Sequence, residues 1–158
     1  MKRYRICIED RNYSKWTTYM EGSNVSITLS KLNPIESKLF TYDVFTITED
    51  GKTEVVHSTL KNTKNIPGVL ILAGKTYGRR GKKLLWKLIP DDKRLPIFIV
   101  AKEAEQKMFN KHPVNKYVVF EFKNWDAKHP EATITNTLGS VDKLNNFYEY
   151  QLYCKSLH

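Results

Sequence analysis

The stretch GVLILAGKTYGRRGKKLLWKLIPDDKRLPIFIVA (residues 68–101) decides how this chain is expected to fold. It holds three short apolar runs, at 68–74, 83–89 and 95–101, rich in the aliphatic residues that β-strands favour. The segment between the first two runs, TYGRRGKK, is too rich in glycine to open a helix. It therefore predicts the tip of a hairpin that joins two strands.

The positive charge of the chain is concentrated in the same region. The whole chain has a net charge of +9, and residues 74–94 hold eight basic residues against two acidic ones. A focused positive region favours a polyanion as partner, with nucleic acid as the first candidate. We predict a single-stranded nucleic acid, RNA or DNA, as the ligand.

Residues in and around this hairpin are the candidate nucleic-acid contacts. Glycines let the backbone approach a phosphate, arginine and lysine neutralise it, and aromatic rings stack on bases at about 1–3 kcal/mol each. The primary candidates are Tyr77, Arg79, Arg80, Lys82, Lys83 and Trp86. Secondary phosphate partners are Lys75, Lys93 and Arg94. The competing interpretation is a solvated basic turn with Trp86 buried.

Two other chemistries are suggested by this stretch and excluded by its spacing. A P-loop that ends in Gly74-Lys75-Thr76 needs a glycine at position 69, where Val69 stands in an apolar run. Asp91 and Asp92 have no acidic neighbours that could share a metal, so they indicate a turn. The histidines show no metal-ligand spacing, and no nucleophile stands in a recognisable frame. We predict no catalytic residue, no metal site and no cofactor.

The rest of the chain continues the pattern of short strands. Before the quoted stretch the runs are YRICI (4–8), WTTYM (16–20), VSITL (25–29), YDVFTI (42–47) and TEVVH (53–57), with a hairpin turn at 49–51. After it they are YVVFEF (117–122) and ATITNTL (132–138). Residues 61–68 carry turn residues without apolar periodicity and are interpreted as a linker.

Three helical segments are expected among these strands. Residues 33–40 offer Asn33 as N-cap and Pro34 at the first helical position, and residues 102–109 have a helix-forming composition. The longest candidate follows Gly139 and has Ser140 as its cap. Its expected apolar face consists of Val141, Leu144, Phe147, Tyr148 and Leu152.

This order of elements predicts an all-β protein with minor α content. Strands so short and evenly spaced argue against a doubly wound parallel sheet, which needs a helix between nearly every pair. We expect two small antiparallel OB/cold-shock-like β-barrels, at residues 1–64 and 65–158, the second with a C-terminal helix. Barrels of this kind are a common platform for oligonucleotides.

The sequence contains neither a secretory signal nor a run that could span a bilayer. Its N-terminus, MKRYRICIED, alternates, and no apolar run approaches the roughly 20 residues that a transmembrane helix needs. Cys7 and Cys154 stand alone near opposite ends and are expected to be reduced thiols. We predict a soluble, intracellular and cytoplasmic protein without membrane contact.

From Gly68 onward the sequence resembles the second cold-shock domain of the ribonuclease II/R exoribonuclease family, which includes the exosome-associated nuclease. The matching pieces, over about 75 residues, are DKRLP (92–96), Trp125, His129-Pro130 and LGSV (138–141). Residues 1–60 resemble the preceding cold-shock domain more loosely, through Tyr42-Asp43-Val44. The ending NFYEYQLYCKSL is similar to ribonuclease relatives encoded by large DNA viruses.

The resemblance implies two cold-shock barrels that form a funnel for single-stranded RNA. In the family they precede a large catalytic domain, which holds magnesium through an aspartate cluster and hydrolyses RNA from its 3′ end. That domain would begin about where this sequence ends, at His158, and the cluster has no counterpart in it. The resemblance therefore predicts an RNA-binding module without strong sequence preference, either a fragment of a longer nuclease or a stand-alone binder.

A protein-interaction or assembly module is the alternative function. In that case the barrels dock another protein, such as a catalytic ribonuclease domain, and the basic hairpin meets an acidic surface or keeps the chain soluble. An exposed aromatic face on the last helix would favour this alternative, because large exposed apolar patches mark partner sites. The residues of that face would be Phe147, Tyr148, Tyr150 and Tyr153.

Overall fold

The short alternating runs of this chain form strands that gather into two compact units. A computed structural model of the protein describes residues 1–103 and 114–156. The first unit consists of Met1–Asn62 with Lys93–Pro96, and the second of Thr63–Asp92 with Ile97–His158. Within the described ranges no helix is long and apolar enough to cross a bilayer.

The first unit is a five-stranded antiparallel sheet. Its strands are β1 (Tyr4–Ile8), β2 (Trp16–Met20), β3 (Ser26–Ile27), β4 (Val44–Ile47) and β5 (Thr53–His57), in the spatial order β3-β2-β1-β4-β5. Alternate side chains of a strand face opposite sides, so Ile6 and Ile8 of the central strand both point into the core and are fully buried.

A buried carboxylate fixes the connection that leads into β4. Asp43 is fully buried, and its oxygens accept hydrogen bonds from the Phe40 amide at 2.9 Å and the Ser58 hydroxyl at 2.5 Å. Burial raises the pKa of the Asp43 carboxyl to about 6 in spite of these bonds. Ser58 directly precedes the short helix α1 (Thr59–Asn62), which begins just before the segment interpreted as a linker and overlaps it.

The prediction of a helix at residues 33–40 is wrong, because this segment forms turns. Asn33 does act as a cap, since its side-chain oxygen accepts a backbone amide hydrogen at the start of the turn. Lys38 then adopts a φ of +57°, a left-handed conformation that ends a helical path. The chain thereby turns Leu39 and Phe40 into the core, where both are fully buried.

The second unit is a closed five-stranded barrel with a short extra strand. Its elements are β6 (Ile66–Ile71), β7 (Arg79–Arg80), β8 (Lys83–Pro90), β9 (Phe98–Glu103), β10 (Lys116–Asn124), β11 (Glu131–Ser140) and helix α2 (Leu144–Ser156). β6 pairs with both β8 and β10, β9 pairs with β8 and β11, and β10 pairs with β11, so the sheet closes on itself. This is the five-stranded architecture of OB-folds, and the all-β, OB-like prediction is confirmed.

The barrel strands approach closely at Gly68. This residue lies opposite Val118 of β10 on one side and Pro90 of β8 on the other. A Cβ atom at Gly68 would lie 2.8 Å from the Leu88 side chain and 3.0 Å from the Phe120 ring. Glycine is therefore the residue that lets the first barrel strand pair with both neighbours over a packed core.

The first unit repeats the strand neighbours of the barrel in an open form. In the barrel, the first strand pairs with the second and fourth, the third with the second and fifth, and the fourth with the fifth. The first unit has the same neighbours except for the third and fifth strands, since no pairing between β3 and β5 is found among its described residues. Both units therefore follow one OB-like strand order.

Helix α2 packs on the barrel through aromatic contacts. Tyr150 and Cys154 lie one helical turn apart and are both buried. The Tyr150 ring stacks on Tyr117 of β10, with 4.4 Å between the ring centroids. Neither cysteine of the chain is in a disulfide, and Cys7 is only half-buried.

Two details predicted for the last helix are wrong. The helix begins at Leu144, and Ser140 is the final residue of β11, whose carbonyl accepts a hydrogen bond from Asn146 at 3.0 Å instead of capping the helix. Leu144, Tyr148 and Leu152, expected on the packed face, are 57–69% exposed because the aromatic stack at Tyr117 selects another face.

The helix expected at residues 102–109 is tested only at its first two positions. There β9 continues as a strand to Glu103. The remaining positions of that prediction lie outside the described residues.

Candidate nucleic-acid interface

Two loops of the barrel meet beside the outer face of β8 and β9. The basic loop (residues 72–82) joins β6 to β8 and contains β7, and the facing loop (residues 125–130) joins β10 to β11. In OB-folds, oligonucleotides bind on the face of the second and third strands and on the loops between strands one and two and between strands four and five. The basic loop and the facing loop hold these two loop positions.

Strand pairing folds the basic loop into the hairpin that the sequence predicts. Arg79 pairs with Leu84 and Arg80 with Lys83, which leaves a two-residue turn at 81–82. Gly81 takes the first turn position with a φ of +62°, a conformation that glycine adopts without steric cost. The prediction of a hairpin tip in this segment is confirmed.

The charged side chains of this hairpin reach solvent. The exposed cationic residues are Lys75, Arg79, Arg80, Lys82 and Lys83. They place five positive charges within nine residues at one end of the barrel. Such a cluster creates the local positive potential that attracts and neutralises a phosphate backbone.

The ring of Tyr77 joins the two loops. It stacks on His129 of the facing loop, with 4.6 Å between the centroids and 23° between the ring planes. The Lys87 ammonium of β8 lies 5.0 Å from the centroid of the Tyr77 ring, within cation–π range. Because Tyr77 remains 38% exposed, part of its ring is still available to a ligand.

A buried carboxylate provides a second link between the loops. Glu131, at the start of β11, is 2% exposed. Its Oε1 accepts a hydrogen bond of 2.6 Å from Arg80 Nη1 in the basic loop, and its Oε2 pairs with Lys123 Nζ at 3.1 Å. The side chains of Arg80 and Lys123 are themselves about half exposed. Glu131 thus holds two cations at the rim of the site.

These cations control the charge of the buried acid. Burial by itself would raise the pKa of Glu131, but the bonds from Arg80 and Lys123 outweigh it and hold the pKa below its ordinary value. For His129, burial lowers the pKa, and nearby lysines add to the effect. At neutral pH the site therefore contains an ionised glutamate and an uncharged imidazole.

A cavity of about 120 Å³ lies between the two loops. Arg80 of the basic loop and Ile99 of β9 form part of its wall. The remaining wall comes from the facing loop and the strand ends beside it, and consists of Asn124, Asp126, Ala127, His129 and Glu131. The cavity is thus lined by hydrogen-bond donors, acceptors and two aliphatic side chains.

Three of the candidate contact residues lie outside this arrangement. Trp86 is 7% exposed, and its indole N–H donates to the Lys102 carbonyl at 3.2 Å, so its ring belongs to the barrel core. Lys93 and Arg94 belong to the first unit. There the Arg94 guanidinium lies over the Tyr42 ring and donates to its hydroxyl at 2.6 Å.

Sequence reasoning missed three residues that shape the site, namely Lys123, His129 and Glu131. The His129-Pro130 dipeptide marked a loop, and nothing in its sequence indicated the stack on Tyr77. Glu131 and Arg80 lie 51 positions apart, and only barrel closure brings their side chains together. A partner for Arg80 was therefore not accessible from local patterns.

In the parts of the chain that the structure describes, no group of three or more histidine, cysteine, aspartate or glutamate side chains could hold a metal ion.

Residues 85–150 match the family model of Dis3-like cold-shock domain 2. The matched residues run from β8 into α2 and include the facing loop. No curated protein matches the chain significantly.

The fold and the family match point to one class of protein. The barrel of the second unit has an OB fold, and residues 85–150 are similar to Dis3-like cold-shock domain 2. OB-folds are a common platform for oligonucleotides.

Proposed function

We propose that this chain binds single-stranded RNA through the basic loop, the facing loop and the outer face of β8 and β9. One observation carries the proposal: the five exposed cations of the basic loop and the first residue of β8 stand where OB-folds bind oligonucleotides. The cold-shock match supports a nucleic acid as ligand. The resemblance to the ribonuclease II/R family favours RNA over DNA.

In this proposal the side chains divide by role. Lys75, Arg79, Lys82 and Lys83 neutralise phosphates, which fixes the strand without reading its sequence. Tyr77 offers the exposed part of its ring to a base, a contact that every base can make. Trp86 has no role in contact because its ring is buried.

The proposed place of the chain is the RNA funnel of a ribonuclease II/R-type exoribonuclease, with hydrolysis carried out elsewhere. The family match supports the nuclease context. Incubation of the chain with labelled RNA and magnesium tests whether the chain only binds RNA or also hydrolyses it. We expect the RNA to stay intact. Processive shortening from the 3′ end would show that the chain has a catalytic centre of its own.

Salt dependence tests the binding itself. Neutralised phosphates release counterions, so the affinity for a single-stranded oligoribonucleotide should fall steeply between about 50 and 200 mM salt. Fluorescence anisotropy of a labelled oligonucleotide measures this. An affinity that does not change with salt concentration, or no binding at low salt, would contradict the proposal.

A triple variant locates the contacts. Replacement of Arg79, Lys82 and Lys83 by alanine should weaken binding of all sequences alike and reduce the salt slope, because each lost phosphate contact lowers it by about 0.7 for a single strand. Arg80 is kept so that Glu131 retains its partner. The matched control removes three exposed lysines outside the basic loop, Lys31, Lys52 and Lys155. An equal loss in both variants would mean that total charge, and not this loop, binds RNA.

We also propose that the two units are tandem cold-shock-like domains, with boundaries near residues 1–64 and 65–158. The common strand order of the two units supports this. Urea unfolding should then show two transitions, with tryptophan fluorescence as the probe. A single cooperative transition in all probes would contradict independent domains.

Protein interaction is the second candidate function, and one observation favours it. Leu144, Tyr148 and Leu152 follow one another at four-residue spacing and are 57–69% exposed, which makes an apolar stripe along α2. The aromatic face expected for this role is different, since Tyr150 is buried. Replacement of Leu144 and Leu152 by lysine should leave RNA affinity at least as high and abolish any association seen in sedimentation velocity.

A further inference from the structure

The cavity between the basic loop and the facing loop has enough volume for a small ligand. One water molecule needs about 10–15 Å³ of such volume. A cavity of about 120 Å³ therefore has room for about 8 to 12 such units. Nucleobases contain about that number of non-hydrogen atoms, and bases of single-stranded RNA splay out into protein pockets.

The charges in the cavity argue against a phosphate as its occupant. Two carboxylates, Asp126 and Glu131, line it. The Glu131 charge is already balanced by Arg80 and Lys123. A phosphate placed there would lie beside the negative charge of Asp126, whereas a neutral ligand with N–H groups would find acceptors.

The hydrogen-bonding groups of the cavity are mixed in kind. Arg80 uses one amino group on Glu131, and a guanidinium carries five N–H donors in all. The Asp126 carboxylate accepts hydrogen bonds, and the Asn124 amide both donates and accepts. Ile99 offers an aliphatic surface against which a ring can lie. A ligand that fits must present acceptors and donors side by side.

We propose that this cavity is a nucleobase subsite with preference for guanine in single-stranded RNA, an inference that rests on the proposed RNA-binding function. Guanine carries the acceptors O6 and N7, which arginine recognises, next to the donors N1–H and N2–H₂, which a carboxylate recognises. Arg80 binds the acceptors and Asp126 the donors. The basic loop then holds the backbone without regard to sequence, and this cavity reads one base.

The other bases match the groups of the cavity less well. Adenine lacks the O6 acceptor and the N1–H donor, so it loses partners at both Arg80 and Asp126. Uracil and cytosine lack N7, so an arginine cannot make its paired contact to O6 and N7 on them. A good bidentate contact discriminates between bases by about 1–3 kcal/mol, which corresponds to at least about fivefold in affinity.

The test uses the full chain and an oligouridine of about nine nucleotides, which lies within the site size of an OB-fold. Its central position carries uridine, adenosine, guanosine or inosine, and inosine lacks only the 2-amino group of guanosine. We expect guanosine to bind at least about fivefold more tightly than adenosine or uridine, with inosine in between. Fluorescence anisotropy at constant salt measures the four affinities.

Two aspartate variants locate the preference. Asp126→Asn should bring the guanosine-to-adenosine ratio close to one while the affinity for plain oligouridine stays within about twofold, because the phosphate contacts are intact. Asp142→Asn, an equal change of charge at an exposed aspartate after β11, should preserve the ratio. Equal wild-type affinity for all four oligonucleotides overturns the subsite but leaves the proposed function standing. Absence of any oligonucleotide binding overturns both, and a ratio unchanged in Asp126→Asn assigns the preference to another place.

Discussion

Arg80 and Glu131 lie 51 residues apart in sequence, and a hydrogen bond of 2.6 Å joins Nη1 of the arginine to Oε1 of the glutamate. The bond connects the loop between the first two barrel strands to the start of the last strand. Together with the Tyr77–His129 stack, it fixes the basic loop against the facing loop. The cations proposed to bind RNA therefore lie on a hairpin that is already held in place by these two contacts. Less conformational entropy is lost on binding when the loop is ordered beforehand.

The Glu131 pairing predicts a pH-dependent contribution to stability. The folded state holds the pKa of Glu131 below its ordinary value, so the contribution is present above that value and is lost as pH falls through the lowered pKa. Glu131→Gln should reduce the free energy of unfolding by about 1 kcal/mol at pH 7, a modest value because both cations are half exposed. The difference from wild type should shrink in acid, as measured by urea unfolding.

Glu149→Gln is the matched control for this effect. Glu149 is an exposed glutamate on α2, and its replacement changes the net charge by the same amount. We expect this variant to unfold like the wild type at every pH. A Glu131→Gln difference that stays constant down to pH 3 would contradict the pairing as its cause.

Asp43 predicts a pH effect of the opposite sign. Burial raises its pKa to about 6 in the folded state, above the ordinary value of 3.8, so the stability it contributes is fully present below the ordinary value and is lost as pH rises through about 6. Between those values the free energy of unfolding should fall by at most about 1.4 kcal/mol per pH unit. Asp43→Asn should remove this slope, because an amide does not titrate. Thermal or urea unfolding from acid to neutral pH would record it.

Tyr77→Ala should weaken oligonucleotide binding by about fivefold or more, because it removes both a stacking surface and a brace of the basic loop. Tyr77→Phe keeps the ring and should bind like the wild type. Tyr148→Ala removes an exposed tyrosine from α2 and serves as the control. If anisotropy gave the same affinity for Tyr77→Ala and Tyr148→Ala, the stack would have no part in binding.

Gly68→Ala should destabilise the barrel by about 1–3 kcal/mol, because the new methyl group meets Leu88 at 2.8 Å and Phe120 at 3.0 Å in a closed core. Urea unfolding measures the loss as a lower midpoint. An unchanged midpoint would show that the neighbouring core side chains shift to accept the methyl group at little cost in stability. Barrel closure would then tolerate a side chain there.

Much of the fold was accessible from the sequence because its strands are short and alternate regularly. The runs at residues 4–8, 16–20 and 53–57 coincide with β1, β2 and β5. Period-two alternation defines a strand locally, and glycine and asparagine mark its ends. The hairpin of the basic loop was equally local, since its glycines and two flanking strands lie within one short segment.

What the sequence did not determine depends on contacts between distant residues. Helix α2 carries aromatic or aliphatic side chains on several sides, so its periodicity could not identify the packed face. That face is chosen by Tyr117, which stacks on Tyr150 from a strand far away in sequence. The turn at 33–40 is similar, because core burial of Leu39 and Phe40 overrides helix-forming composition.

In the candidate site, too, local properties could be predicted from the sequence and contacts between distant residues could not. Charged residues of the basic loop could be predicted because solvent exposure of a glycine-rich basic turn is a local property. Burial of Trp86 was left open, and strand β8 settles it by turning the indole inward. His129 and Glu131 gained their importance from barrel closure, which brings the facing loop to the basic loop.

The barrel also has one weak seam. Among the residues that the structure describes, β9 and β11 share a single registered pair, Glu131 opposite Ile99, whereas the other barrel neighbours share four to eight. Amide hydrogen exchange should therefore begin at this seam, where the fewest backbone bonds must open. Ile99 and Glu131 also line the cavity between the loops. A base held there would contact both strands, so bound RNA would reduce the local opening between β9 and β11 and slow amide exchange there.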